Sequence, residues 1–271
     1  MDYLAFYDLR QEPFSVMPLT KFYYHSEQHD RALAKLQFAV SAMKGLAVLV
    51  GDVGTGKTTL ARRLLDSLPE DEYEASLLVI IHSDVDADWF VRRIMGQLGV
   101  PDPPADRSAA LTQLFARLAE INEQGRKAVV IIDEAQMLRQ PLLMETLRGL
   151  LNLELPEQKL LSFVLFGLPE LDAVLQKDAP LAQRIAVRHQ LEPFATATTA
   201  DYIDHRLSLA GRDAPIFTAA ALDTVHAVAK GVPRVINVVC DNALFEGYIR
   251  KAPAIDVDII QNVASDLGLH E

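Results

Sequence analysis

The sequence predicts an α/β fold: a parallel five-stranded sheet flanked by helices, followed by a small all-helical domain. Three observations lead there. Short apolar runs of strand length alternate with stretches of helical spacing, the pattern of β-α-β units with right-handed crossovers. A glycine-rich stretch, GDVGTGKTT at 51–59, sits between one such run and one such helix. From about Thr196 onward no strand pattern recurs. The expected domains are 1–195, an N-terminal segment plus the α/β domain, and 196–271, the helical domain.

Residues 1–25 carry aromatic and proline punctuation, including Phe6, Tyr7, Pro13, Phe14, Phe22, Tyr23 and Tyr24. Ser26 reads as the N-cap of a helix over 27–43, which Gly45 ends. The run 46–50 is the first strand, and the helix after the glycine-rich stretch ends near Leu68 and Pro69. A second strand over 76–81 leads to a helix over 87–98. The proline-rich loop at 99–106 breaks that helix. Ser108 is expected to cap a long helix to about Gln124, with Leu111, Leu114, Phe115 and Leu118 at helical spacing. Then come a strand over 128–132, a helix over 141–153, a strand over 161–166, a short helix through 171–175 and a strand over 187–191. The apolar runs at 77–81, 128–132 and 160–168 are too short to span a bilayer and read as buried strands. Helices over 200–209, 218–230, 234–250 and 257–267 complete the chain.

Half of the 271 residues are hydrophobic, enough to bury a sizeable core. The formal net charge is -11, which gives no general attraction to nucleic acid or anionic lipid. The paired arginines Arg62-Arg63 and Arg92-Arg93 lie in helical patterns and read as solvated faces. A single cysteine, Cys240, excludes an internal disulfide and fits a reducing compartment; its apolar neighbours predict a buried thiol. The N-terminus lacks a basic region followed by an apolar one, so no signal peptide is expected. His25 and His29 stand four apart, but no third ligand has a suitable spacing, so capping and packing roles are assigned to them.

The glycine-rich stretch has the spacing G-x-x-x-x-G-K-[ST], in the strand-loop-helix context that makes it a phosphate-binding loop. Gly51, Gly54 and Gly56, with Asp52, Val53 and Thr55 between them, let the backbone curl so that its N–H groups converge on phosphate oxygens. The loop feeds a helix N-terminus, which favours an anion. Lys57 supplies a charge for the β- and γ-phosphates, the Thr58 hydroxyl is a Mg²⁺ ligand, and Thr59 continues the first turn.

Val129-Val-Ile-Ile-Asp133-Glu134 is a buried strand whose acids emerge at its C-terminal end, the edge where ligands bind in open α/β sheets. Asp133 is expected to hold Mg²⁺ and Glu134 to orient and deprotonate an attacking water. An acid directly after the metal-binding Asp favours hydrolysis by water over transfer to a small molecule. In ring-forming ATPases of this type, an arginine placed like Arg184 stabilises transition-state charge in a neighbour's site; Arg188 is the alternative. Arg234, in Gly231-Val-Pro-Arg-Val-Ile-Asn, opens a helix of the second domain and can reach the γ-phosphate from there.

With these motifs the chain resembles the AAA+ superfamily, and specifically the ExeA/GspA-type ATPases of general secretion and of mannose-sensitive-haemagglutinin pilus biogenesis. The resemblance covers nearly the whole chain: EPFS at 12–15, SEQHDRAL at 26–33, GDVGTGKTT, IIDEAQ at 131–136, LNLE at 151–154, GLPEL at 167–171, QRI at 183–185, YIDHRLSLAG at 202–211 and GVPRVIN at 231–237. It implies a P-loop AAA+ fold with a helical lid. It further implies ATP and Mg²⁺ as cofactors, with Lys57, Thr58, Asp133 and Glu134 binding and hydrolysing the nucleotide. Arg184 resembles the arginine finger and Arg234 the sensor-2 arginine. One departure stands out. Where the family usually reads G-Q-P-E-L, this chain has Leu168, so the sensor-1 polar group is missing and slow turnover is implied.

The main functional reading is an ATPase that oligomerises with nucleotide, as a ring or open helix, and drives assembly or remodelling of an envelope secretion or pilus machine. Its partners are copies of itself and an envelope protein. It is expected in the cytoplasm, or at the inner membrane through a partner, with no membrane span of its own. Longer family members carry a membrane segment and a peptidoglycan-binding region after the ATPase; neither follows here, so cell-wall contact needs a partner chain. The alternative is a DNA-associated AAA+ regulator of the transposition target-selection kind, against which the acidic balance counts. A third reading, a binding module holding ATP only as a structural ligand, is kept open by Leu168 and opposed by the Asp133-Glu134 pair.

Overall fold

A computed structural model describes residues 2–15, 22–156 and 158–269. In chain order the elements are α1 (Tyr3–Phe6), α2 (Glu27–Ser41), β1 (Leu46–Gly51), α3 (Lys57–Asp66), β2 (Tyr73–Val79), α4 (Ala87–Gln97), α5 (Arg107–Glu123), β3 (Lys127–Asp133) and α6 (Pro141–Leu150). There follow β4 (Glu154–Leu155), β5 (Gln158–Lys159), β6 (Leu161–Gly167), α7 (Pro169–Lys177), α8 (Ala179–Ala182) and β7 (Ile185–Leu191). The last helices are α9 (Thr196–Leu209), α10 (Ala219–Ala229), α11 (Pro233–Ile249) and α12 (Val257–Asp266).

Five strands form one parallel sheet in the order β2-β3-β6-β1-β7. β1 and β6 are buried along their whole length, and β3 at all but its first residue. Their unbroken apolar runs are what a sheet covered on both faces requires. Each fully buried Val, Leu or Ile contributes roughly 1.5–3 kcal/mol to holding these strands inside. The edge strand β7 instead alternates half-buried and exposed residues up to buried Leu191. Register decides what meets at the C-terminal edge. Val50 lies opposite Gly167, and Ile132 opposite Leu165. Gly51, Asp133 and Leu168 therefore emerge on the same side of the sheet, with β6 between the other two strands.

The chain divides into two compact units. The α/β unit holds Glu27–Val53 and Lys57–Leu191. The helical unit holds Glu192–Glu271, the loop tip Gly54–Gly56 and the described part of Met1–Ser26. The N-terminal segment thus clusters with the helices, where the sequence placed it with the α/β domain. The cause is packing: Tyr7, Leu9 and Phe14 are buried in one cluster with Phe217, Cys240 and Leu244. Arg206, itself buried, donates to the carbonyls of Pro13 at 2.5 Å and Ser15 at 2.9 Å, and its guanidinium lies 4.5 Å from the Phe22 ring centroid.

Some boundaries move. β2 pairs with β3 from Tyr73 to Val79, three residues earlier than the sequence run suggests. Ile81, expected in that strand, is 84% exposed. The cap of α5 is Asp106, whose Oδ2 accepts from Ala109 N–H at 2.8 Å, so Ser108 lies inside the helix. A short carboxylate two residues nearer the proline-rich loop reaches the first free N–H groups without competing from within the helix. The hairpin of β4 and β5 is only two residues per strand, too short to show an alternation. No helix among the described residues is long and apolar enough to cross a membrane.

Candidate nucleotide site

β1 delivers the chain to the loop at Gly51, and α3 starts at Lys57. Gly54 and Gly56 take φ of +84° and +100°, values that side chains with a Cβ rarely adopt. Asp52 and Val53 form the exposed crest of the loop, and Thr55 is buried. Lys57 is 7% exposed. Its Nζ donates to Gly51 O and to Asp52 O, both at 2.8 Å, so the ammonium is folded back over the loop. Thr58 and Thr59 stand half-buried in the first turn of α3.

The Thr58 hydroxyl donates to Asp133 Oδ2 at 2.7 Å, from the first turn of α3 to the end of β3. Asp133 Oδ1 accepts from Glu134 N–H at 2.9 Å. Burial pushes the Asp133 carboxyl above the usual carboxylate range, and its bonds from Thr58 and from Glu134 N–H hold part of that rise back. A hydroxyl and a buried carboxylate side by side are hard oxygen donors of the kind Mg²⁺ takes, so these residues fit the metal expected of them. Glu134 is half-buried and adopts a left-handed backbone, φ 56° and ψ 34°, uncommon for a residue with a side chain.

Sequence reasoning assigned no role to Gln136. It is 2% exposed, its Nε2 donates to Glu134 Oε2 at 2.5 Å, and its Oε1 accepts from Leu168 N–H at 3.1 Å. Leu168 caps α7 with its backbone and offers no polar side-chain atom. The one signal in the sequence was a polar residue two positions beyond an acid at a strand end.

The structure brings together Lys57, Thr58, Asp133 and Glu134. It ties Arg184 elsewhere in the α/β unit: Nη1 donates to Asn152 Oδ1 at 2.5 Å and to Arg148 O at 3.3 Å. Arg188 forms an ion pair with Asp172 at 2.7 Å. Within the helical unit, Arg234 is exposed in the first turn of α11, and its N–H donates to Gly54 O at 3.2 Å. A Cβ added at Gly54 would stand 2.8 Å from the Arg234 Cβ, so glycine is what lets the loop tip approach that helix.

Residues 41–175 match the AAA domain family. General secretion pathway protein A of Aeromonas hydrophila is 39% identical over 258 residues, which covers 92% of this chain and 45% of that protein. The chain thus spans about half the length of this relative. Among solved structures, the ORC2 protein of Aeropyrum pernix in its ADPNP-ADP complexes superposes with a TM-score of 0.72 at 18% identity, over 94% of this chain and 71% of that one. Cdc6p of Pyrobaculum aerophilum gives 0.69 at 17%, over 94% and 70%. The RuvB Holliday junction branch migration motor of Thermotoga maritima gives 0.58 at 18%, over 89% and 69%. At those identities the likeness is one of fold. Loop, acids, sheet order and sequence agree: the chain belongs to the AAA+ ATPase family, of the general secretion pathway protein A type.

Proposed function

We propose that the chain binds and hydrolyses ATP with Mg²⁺, oligomerises when nucleotide is bound, and uses turnover to assemble or remodel an envelope machine of the secretion or pilus type. The observation that carries the reading is the Thr58–Asp133 contact at 2.7 Å with Glu134 next in the chain. It sets the hydroxyl and carboxylate donors beside the residue best placed to act as base. The 39% identity to a general secretion pathway protein supports the envelope context. A cytoplasmic site of action, or the inner-membrane surface through a partner, is part of the same proposal.

Mg²⁺ would supply Lewis-acid neutralisation of phosphate charge, held by Thr58 and Asp133. Lys57 exchanges its two carbonyl partners for phosphate oxygens, and the loop N–H groups orient the phosphates. Glu134 accepts a proton from water. Arg234, as the sensor-2 arginine, and Arg184, acting in a neighbouring copy, stabilise phosphate charge. Leu168, lacking a polar side chain, keeps turnover slow.

The test is light scattering with ATP and Mg²⁺ for the wild type and Glu134→Gln, with phosphate release followed in parallel. The expected result is a defined oligomer of Glu134→Gln and transient assembly with phosphate release by the wild type. Monomers that release nothing in both cases, with an oligomer appearing only when DNA is added at low salt, would overturn this reading in favour of a DNA-associated regulator.

A further inference from the structure

Gln136 is a buried polar side chain beside Glu134 with no part in the proposed hydrolysis. Three observations bear on it. First, its orientation is fixed. Only the amide oxygen can accept from Leu168 N–H, so the amino group must face Glu134. Second, the close approach is built into the backbone of β6. A Cβ at Gly167 would stand 2.9 Å from Gln136 Oε1, so the bond to Leu168 N–H needs glycine at the end of that strand. Third, Glu134 sits on a left-handed backbone, with its main-chain N–H already taken by Asp133. Among the described residues, its carboxylate accepts from the Gln136 amide at 2.5 Å.

We infer that Gln136 is a positioning residue for the Glu134 base, clamping its carboxylate through an amide that is itself anchored on the backbone at Leu168. The amide touches no reacting atom; it acts through Glu134. A carboxylate on a free side chain samples several rotamers, and only some place an oxygen against a water aligned for attack. Gln136 is buried and bonded at both ends, so it costs little to hold in place and removes most of that freedom. It also joins the ends of β3 and β6, so a shift of Leu168 and the start of α7 is transmitted to the base. The inference rests on the reading of the chain as a hydrolase.

The experiment uses the full chain with Mg²⁺ and ATP, and compares the wild type, Glu134→Gln, Gln136→Met and Gln136→Glu. Met keeps the volume and removes both hydrogen bonds. Glu keeps an acceptor for Leu168 N–H and replaces the neutral amide donor to Glu134 by a second carboxyl, so it separates the contact with Glu134 from the anchor at Leu168. Affinity is read with a fluorescent ATP analogue and folding by thermal melting. The expected result is a fall of about 10- to 100-fold in kcat for both variants. Nucleotide affinity should stay within about threefold of wild type, and both variants should stay folded at the assay temperature, with melting temperatures lowered by at most a few degrees through the lost buried hydrogen bonds. If the wild type turns over and either folded variant keeps its kcat, the inference fails while the hydrolase reading stands. Loss of affinity and melting temperature together with kcat would make Gln136 a structural residue and also overturn it. A wild type no faster than Glu134→Gln would remove both readings.

Discussion

The hydroxyl of Thr58 and the carboxylate of Asp133 are 75 residues apart in sequence and 2.7 Å apart in space, joining the first turn of α3 to the end of β3. Burial makes the charged form of this acid costly for folding, and the Thr58 bond offsets part of that cost. Between the ordinary carboxylate range and its raised native value, the native state holds a proton that the unfolded chain has released. Stability from this group therefore falls as pH rises through that window. Asp133→Asn has no such proton. Without nucleotide it should melt above wild type at neutral pH. The gap should close as pH is lowered to about 4. Thermal melts of both proteins across this range check it, and the variant should at the same time lose Mg²⁺-dependent turnover.

Arg184 and Arg188 were both candidates for the charge supplied to a neighbouring site. Arg188 is engaged by the carboxylate of Asp172, whereas Arg184 rests on a side-chain amide and a carbonyl. Withdrawing a guanidinium from neutral partners costs less than breaking an ion pair. Arg184→Ala should reduce phosphate release by about 100-fold or more at concentrations where the chain assembles. Arg188→Ala should stay within about threefold. Mixing Arg184→Ala with Glu134→Gln should restore part of the activity, because each variant can supply what the other lacks at a shared boundary.

Gly231 takes φ +71°, and a Cβ there would lie 2.0 Å from the carbonyl oxygen of Phe194. The same two residues are joined by Phe194 N–H donating to Gly231 O at 2.8 Å, so the backbones cannot part without losing that bond. Gly231→Ala should destabilise the chain by about 3 kcal/mol or more. Denaturant unfolding followed by far-UV circular dichroism measures it.

Arg206 is 4% exposed and forks between two carbonyls, with the Tyr202 hydroxyl at 3.3 Å. Arg206→Leu leaves those acceptors buried and should cost about 2–4 kcal/mol. Arg206→Lys should recover little, since a single ammonium cannot reproduce a planar fork. Proteolysis near Ser15 should accelerate in both variants.

The parts of the site legible in the sequence were those whose chemistry fixes both residue type and local spacing. Lys57 and Thr58 belong to a loop with glycines at fixed spacing, two of them at positive φ, and Asp133-Glu134 follows an apolar strand. Gln136 was not legible as a participant because its partner Leu168 is 32 residues away, and only the register of β6 against β3 brings the two together. The sheet was readable because β1, β3 and β6 are buried on both faces. β2 was misplaced because its exposed edge lets polar residues such as Glu74 join while the apolar Ile81 overshoots. The affiliation of the N-terminal segment was hidden for a similar reason. Aromatic residues near a glycine-rich domain do not say which core they enter, and the Arg206 fork that decides it lies more than 190 residues away.

Cys240 is fully buried in the helical unit, and burial raises its thiol well above the ordinary value. It is the sole cysteine of the chain. A thiol reagent therefore reacts only through molecules whose helical unit has opened, and every modified chain reports one event at one place. The native protein carries its own stopwatch for local unfolding: labelling rates at increasing reagent concentration would give the opening frequency of that unit, and any ligand that closes it would be recorded as a slowing, with no probe introduced.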